Sequence, residues 1–281
     1  MIDFSRQQLE RYSRNILLDS VGVEGQKKLM QAKVLIIGIG GLGSPAAMYC
    51  AAAGVGTIGI VDSDVVELSN LQRQIIHFTG DTGSPKVVSA REKMEAINPD
   101  IIVKPIQESV HAANIGSIVD GYDFVIEGTD NFPTKFLIND ACVMKSIPFS
   151  HGGILGFSGQ TMTVLPKKSA CYRCVFHKTP PKNMIPSCSE AGVLGVVAGM
   201  LGTMQAAEAL KCITGAGELL ADQLLTFDAL TMHFRKVRLR KNPKCAVCSE
   251  HPSITGLRDE EKPACDHQAG IDRNRQEDGI A

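Results

Sequence analysis

The stretch Lys33-Val34-Leu35-Ile36-Ile37-Gly38-Ile39-Gly40-Gly41-Leu42-Gly43 constrains the fold of this chain more than any other. Its opening run is aliphatic, with no polar alternation, which is the pattern of a strand covered on both faces. Gly38, Gly40 and Gly43 then stand at G-x-G-x-x-G spacing, and a small-residue helix is predicted from Ser44 to Ala53. A glycine turn between a buried strand and a helix lets the backbone approach an anion, with free N–H groups at the helix start pointing towards it. The sequence that follows repeats the alternation. Gly56 to Asp62 reads as a second buried strand ending in an acid, and Lys86 to Ile97 as a helix stopped at Asn98-Pro99. Ile101 to Ile106 is a third strand; Phe124 to Glu127 is a fourth, running into Gly128-Thr129-Asp130-Asn131. The expected fold is α/β, a Rossmann-like, doubly wound and mostly parallel sheet.

An N-terminal helical segment precedes this core. Over residues 5–30, Leu9, Tyr12, Ile16 and Leu17 recur on one face, with Arg11 and Arg14 on the other. Beyond about residue 150 the pattern changes. Gly152 to Leu165 alternates like antiparallel strands bent at glycines, and residues 177–189, with three prolines, read as an irregular loop. Ala191 to Ile213 reads as a buried helix and Leu224 to Leu239 as strands again. The apolar stretch from Ala191 to Met204 is short and glycine-rich for a membrane span. The start, Met1 to Arg6, lacks the basic residues and apolar core of a secretory signal. A formal net charge of −1 leaves no basic footprint for nucleic acid. The expectation is a cytoplasmic protein with no nucleic-acid or membrane partner. In that compartment the nine cysteines serve as metal ligands, nucleophiles or core residues rather than disulfides.

The glycine turn alone suits a dinucleotide redox cofactor as well as ATP, and Asp62 is placed to accept ribose hydroxyls in either case. The next segments separate the two. Ser69-Asn70-Leu71-Gln72-Arg73-Gln74 follows the acidic strand end, and Lys86 follows Ser84-Pro85. Hydride transfer needs no further cations at the phosphates. Attack at phosphorus does, because negative charge accumulates on the phosphate oxygens and on departing pyrophosphate. Arg73 and Lys86 are the candidate cations, and Asp130, at the carboxyl end of a parallel strand, is the candidate Mg²⁺ ligand. Singly, each would read as a solvated surface charge; with the loop they form a phosphate site.

Cys171-Tyr172-Arg173-Cys174 and Cys245-Ala246-Val247-Cys248 supply four thiolates, the soft set that tetrahedral Zn²⁺ prefers. With no position left for water, such a site is structural. The alternative is a redox dithiol, which suits a single pair better than two. Cys188 lies in the proline-rich loop between Ser187 and Ser189, where a thiol can reach a substrate, whereas Cys50, Cys142 and Cys212 sit in apolar helical patterns. Cys265 carries no assignment, and among the histidines only His77 and His151, near strand ends, invite inspection.

The series G-x-G-G-L-G, S-N-L-Q-R-Q, a lysine after S-P, G-T-D-N, paired C-x-x-C and S-C-x-E-A-G-V is similar, in this order, to the MoeB, ThiF and HesA family, relatives of the ubiquitin-activating enzymes. The resemblance runs from Arg11-Tyr12-Ser13-Arg14 to about Cys265. It implies an adenylating domain over residues 1–262, with a nucleotide core at about 30–150, a carrier-binding and zinc part at about 151–262 whose antiparallel strands continue the sheet, and a disordered polar tail over 263–281. It assigns Gly41 to the phosphate loop, Asp62 to the ribose, Asn70, Arg73 and Lys86 to the triphosphate, and Asp130 to Mg²⁺ with Asn131 beside it. Arg14 matches an arginine that enters the neighbouring subunit's ATP site in a homodimer, and Cys188 a cysteine used for sulfur handling. The implied activity is ATP-dependent adenylation of the C-terminal Gly-Gly carboxylate of a ubiquitin-like, MoaD- or ThiS-like sulfur carrier, for molybdopterin or thiamine thiazole synthesis. The short tail implies a separate sulfur donor. The competing readings are an NAD-dependent oxidoreductase, an adenylating enzyme acting on an RNA base, and a nucleotide-free scaffold subunit.

Overall fold

The computed structural model describes residues 4–179 and 192–260. One eight-stranded sheet organises them, in the spatial order β3-β2-β1-β4-β5-β6-β7-β8. The strands are β1 (Lys33–Ile37), β2 (Thr57–Val61), β3 (Ile102–Ile106), β4 (Phe124–Glu127), β5 (Phe149–Leu155), β6 (Ser158–Val164), β7 (Gln223–Asp228) and β8 (His233–Arg238). The first five pair in parallel and the last three antiparallel. The predicted mostly parallel sheet with an antiparallel continuation is therefore present. β1 lies between β2 and β4, so the chain leaves β1 in one direction and returns on its other side. That reversal opens a crevice at the carboxyl ends of β1 and β4, where open α/β sheets bind ligands.

Val34, Leu35, Ile36 and Ile37 are all buried, as the unbroken apolar run requires. Val34 and Ile36 enter one core layer, and Leu35 and Ile37 the opposite one. The first layer is closed by α3 (Gly43–Ala52), α4 (Lys86–Ile97) and α8 (Gly195–Thr214); the second receives Leu137, Ile138 and Ala141 of α6 (Phe132–Lys145). Two short helices, α5 (Ile115–Ile118) and α7 (Tyr172–Val175), complete that side. By length and composition α8 could cross a membrane, but it packs on α2 (Gly22–Gln31), α3, β4, β5 and β6, as expected of a buried helix.

The predicted helical run over residues 5–30 divides into α1 (Arg6–Ile16) and α2 (Gly22–Gln31). The break falls before Gly22, whose φ of +58° lies in the left-handed region that glycine adopts without strain. Ser5 and Gln8 form a capping box that starts α1. Of its expected apolar face only Tyr12 is fully buried, while Leu9 and Leu17 are exposed. The predicted loop over 177–189 falls largely, and the tail over 263–281 wholly, outside the described residues.

Candidate functional site

The glycine turn is shaped by the strand end beside it. Gly38 has φ +91°, and a Cβ there would stand 2.7 Å from Gly128 O; a Cβ on Gly43 would stand 1.9 Å from Gly38 O. Neither position accepts a side chain without moving backbone, so the loop is held tightly against the Gly128-Thr129 end of β4. Its floor is pinned through Ile39, whose N–H donates to Asp62 Oδ2 at 2.8 Å and whose carbonyl faces His77 Nε2 at 3.0 Å. A carbonyl only accepts, so Nε2 carries the proton, while Nδ1 lies 2.9 Å from Ser89 Oγ. His77 thus bolts the 68–78 segment to the turn.

The predicted acid and cations converge on the same turn. Asp62 follows directly on β2, with Oδ1 accepting from Asp64 N–H at 2.9 Å. Each of its oxygens keeps a further lone pair for a ligand. Burial raises the Asp62 pKa, with Lys86 and the two backbone N–H groups opposing the rise. Lys86 opens α4 and is almost fully buried, its Nζ 2.8 Å from Asp64 Oδ2 and 4.0 Å from Asp62 Oδ1. A lysine that deep is held by counter-charges and is not the solvated surface group that a lone lysine suggests. The stem of Arg73 lies along Gly41, its Cγ 3.6 Å from where a Gly41 side chain would begin, and its Nη1 donates to Ser69 O at 3.1 Å. Asn70 is buried, and its Nδ2 donates to Ser69 Oγ at 3.3 Å. Asp130 is exposed at the end of β4, while Asn131 caps α6 by accepting from Thr134 N–H at 3.0 Å. Arg14 is exposed in the last turn of α1.

Beneath Asp130 lies a network that the sequence reading missed. Glu127 and Lys135 are both buried, and Lys135 Nζ donates to both Glu127 oxygens (2.9 and 3.0 Å), Thr129 O (2.6 Å) and Gly152 O (2.7 Å). Thr129 donates its N–H to Glu127 Oε1 at 2.8 Å, so the carboxylate sets the turn that carries Asp130. His151 Nδ1 sits 2.8 Å from Glu127 Oε2, and the His151 ring lies against Tyr172 at 4.6 Å between centroids. The available signal was a glutamate and a lysine, eight residues apart, each embedded in apolar residues.

Burial would raise the Glu127 pKa, but Lys135 and His151 outweigh it and hold it at about 2, below the ordinary 4.5. A carboxyl depressed in the folded state stabilises fully above its ordinary pKa and loses that contribution as pH falls towards the folded value. Glu127→Gln leaves Lys135 buried without a counter-charge and is expected to cost about 3–5 kcal/mol at neutral pH. Urea unfolding of both proteins checks this. The gap between them should narrow as pH is lowered from about 5 towards 2.5.

The two C-x-x-C pairs, though 74 residues apart, meet. The four sulfurs of Cys171, Cys174, Cys245 and Cys248 lie within 4.8 Å of one another, with separations of 3.9, 3.6 and 3.4 Å for 171–174, 171–245 and 174–248. Disulfide sulfurs would stand about 2.05 Å apart. Four thiolates bound tetrahedrally at about 2.3 Å give edges near 3.8 Å, so the set fits a soft tetrahedral metal. Asn242 N–H donates to Cys174 Sγ at 3.4 Å, an outer contact typical of ligating thiolates. Between the first two cysteines, Arg173 pairs with buried Asp140 of α6 at 2.7 Å and Tyr172 N–H donates to Asn139 at 2.9 Å. Cys50 and Cys142 are buried and Cys212 is half-buried, as expected of core residues. Cys188 and Cys265 lie outside the described residues.

Comparison with known proteins gives a consistent picture. The model described as "ThiF family" matches residues 12–247. The SAMP-activating enzyme E1 of Haloferax volcanii is 47% identical over 243 residues, covering 86% of this chain and 90% of the relative. The sulfur carrier protein adenylyltransferase of Thermus thermophilus is 43% identical over 263 residues, covering 92% and 97%. The probable adenylyltransferase/sulfurtransferase MoeZ of Mycobacterium tuberculosis is 44% identical, and this chain spans 65% of its length. Among solved structures, MccB of E. coli with AMPCPP and MccA superposes with a TM-score of 0.78, at 24% identity, over 88% of this chain and 76% of that one. At that identity the likeness concerns the fold.

Proposed function

The chain belongs to the ThiF family, and from that premise we propose that it adenylates the C-terminal carboxylate of a ubiquitin-like sulfur-carrier protein at the expense of ATP. The observation that carries this reading is Lys86: a nearly buried cation facing Asp62 beside the glycine turn, which phosphoryl chemistry needs and hydride transfer does not. Relatives named sulfur carrier protein adenylyltransferase and SAMP-activating enzyme E1 support it.

In this mechanism the triphosphate lies over Gly38, Gly40, Gly41 and Gly43, with the ribose at Asp62. The carrier carboxylate, already ionised near neutral pH, attacks the α-phosphorus, and pyrophosphate leaves as the acyl-adenylate forms. Lys86, Arg73 and Asn70 hold the phosphates and meet the charge that accumulates on them. Mg²⁺ at Asp130, with Asn131 beside it, would neutralise phosphate oxygens as a Lewis acid. Cys188 is the thiol we assign to the next step, attacking the acyl carbon so that AMP leaves and a thioester forms; sulfide from a separate donor then cleaves the thioester, giving a thiocarboxylate and restoring the thiol.

We read the chain as a homodimer in which Arg14 serves the partner's site. Exposed Leu17 and Leu18, just after Arg14, and exposed Leu68, Ile75 and Phe78 around the nucleotide segment are the apolar surface that such an interface would cover. Zn²⁺ at Cys171, Cys174, Cys245 and Cys248 ties the carrier-binding part together. Incubated with ATP and a carrier ending in Gly-Gly, the protein is expected to yield carrier-AMP by intact mass spectrometry. A carrier lacking the terminal glycine should give none, and absence of the adduct from the complete carrier would refute the reading.

A further inference from the structure

Gln74 follows Arg73 in the segment that faces the glycine turn. Its backbone is fixed, with N–H donating to Asn70 O at 3.0 Å and C=O accepting from His77 N–H at 3.0 Å. The side chain turns inward and is 4% exposed. Nε2 stands 3.5 Å from the point where a Gly40 side chain would begin. Oε1, on the other edge of the amide, is buried with no hydrogen-bond partner. Buried polar groups are almost always paired, and each exception calls for a reason. Packing supplies none here, because an apolar side chain of the same shape would fill the space without an orphaned oxygen. The amide carries its N–H edge to the glycine turn and leaves its carbonyl edge buried.

Two of the other donors at this turn also serve protein acceptors. Lys86 is paired with Asp64 and Asp62, and Arg73 Nη1 donates to Ser69 O. A neutral amide forms no ion pair with those carboxylates, so its N–H groups stay available. Resting on the reading of this turn as the nucleotide site, we propose that Gln74 is a further ATP-binding residue, its Nε2–H donating to a phosphoryl oxygen held over Gly40.

The test compares Gln74→Met, which keeps the shape and removes the donor, with Gln74→Glu, which keeps the shape and presents only an acceptor. Melting without nucleotide, the ATP-induced rise in melting temperature and the KM for ATP in carrier-dependent pyrophosphate exchange are read for each. Gln74→Met should melt at or above wild type without nucleotide, show a smaller ATP-induced rise, and raise the KM for ATP about 10-fold. Gln74→Glu should raise the KM further, since a carboxylate repels the phosphates. A Gln74→Met protein that keeps the wild-type KM, one that melts far below wild type, or a Gln74→Glu protein that binds ATP normally would overturn the assignment. Lys86→Ala serves as the control. If it too keeps normal ATP binding, the nucleotide site itself is misread; if it alone loses ATP, only the Gln74 assignment falls.

Discussion

Asp130→Ala is expected to lower carrier-dependent pyrophosphate exchange by about 10²–10³-fold while leaving the fold intact. Asp130 is exposed at the end of β4, and an exposed substitution outside any cap or network shifts stability by about 0.5 kcal/mol or less. The turn that carries it does not depend on its side chain, because Glu127 and Lys135 set Thr129 from below. The loss should fall on the rate more than on ATP affinity, since the glycine turn, Lys86 and Arg73 remain to hold the phosphates. Exchange kinetics beside a melting curve separate these effects. Activity within about threefold of wild type would remove Asp130 from the metal site, a change far below the loss expected for a group that meets transition-state charge.

The second large effect concerns the four cysteines. Freshly purified protein should hold one zinc per chain, and Cys174→Ser should hold almost none. A metal held by the four sulfurs would close a 74-residue span of chain, and such clips act by restricting the unfolded ensemble as well as by the bonds themselves. Its loss also releases what the first cysteine pair fixes. Arg173 anchors to Asp140, Tyr172 to Asn139, and α6, which carries both partners, begins beside Asp130. A loss of about 3–5 kcal/mol, the size of a broken buried ion pair, corresponds to a fall of about 10 °C in a domain of this size. Metal analysis and thermal melting with and without a chelator test this. A zinc-free Cys174→Ser protein that melts like wild type would show that the cluster does not hold the fold.

Much of this architecture was legible in the sequence because the decisive signals were local. The apolar run of β1, the glycine turn and the small residues of α3 occur in one uninterrupted stretch, and α4 begins at Lys86 and ends at Ile97 where the Asn98-Pro99 stop requires. Four features were not legible. The helix at 132–145 is masked by Pro133 near its start; proline is tolerated in a first turn, where its missing N–H is not needed. The run over 5–30 lacked an internal breaker before Gly22, so its division into α1 and α2 was invisible. Glu127 and Lys135 looked like unrelated charges until the fold placed them together, and Gln74 stood out only once its burial was known. The sheet thus tells where phosphates belong, while the groups that stiffen or complete the site are tertiary facts.

Carrier-dependent exchange of radiolabelled pyrophosphate into ATP tests the central claim most directly. The account predicts exchange that requires ATP and an intact Gly-Gly carrier, vanishes when the last glycine is removed, and collapses in Lys86→Ala. Exchange that proceeds equally without carrier, or tight NAD(H) binding in place of ATP binding, would contradict it.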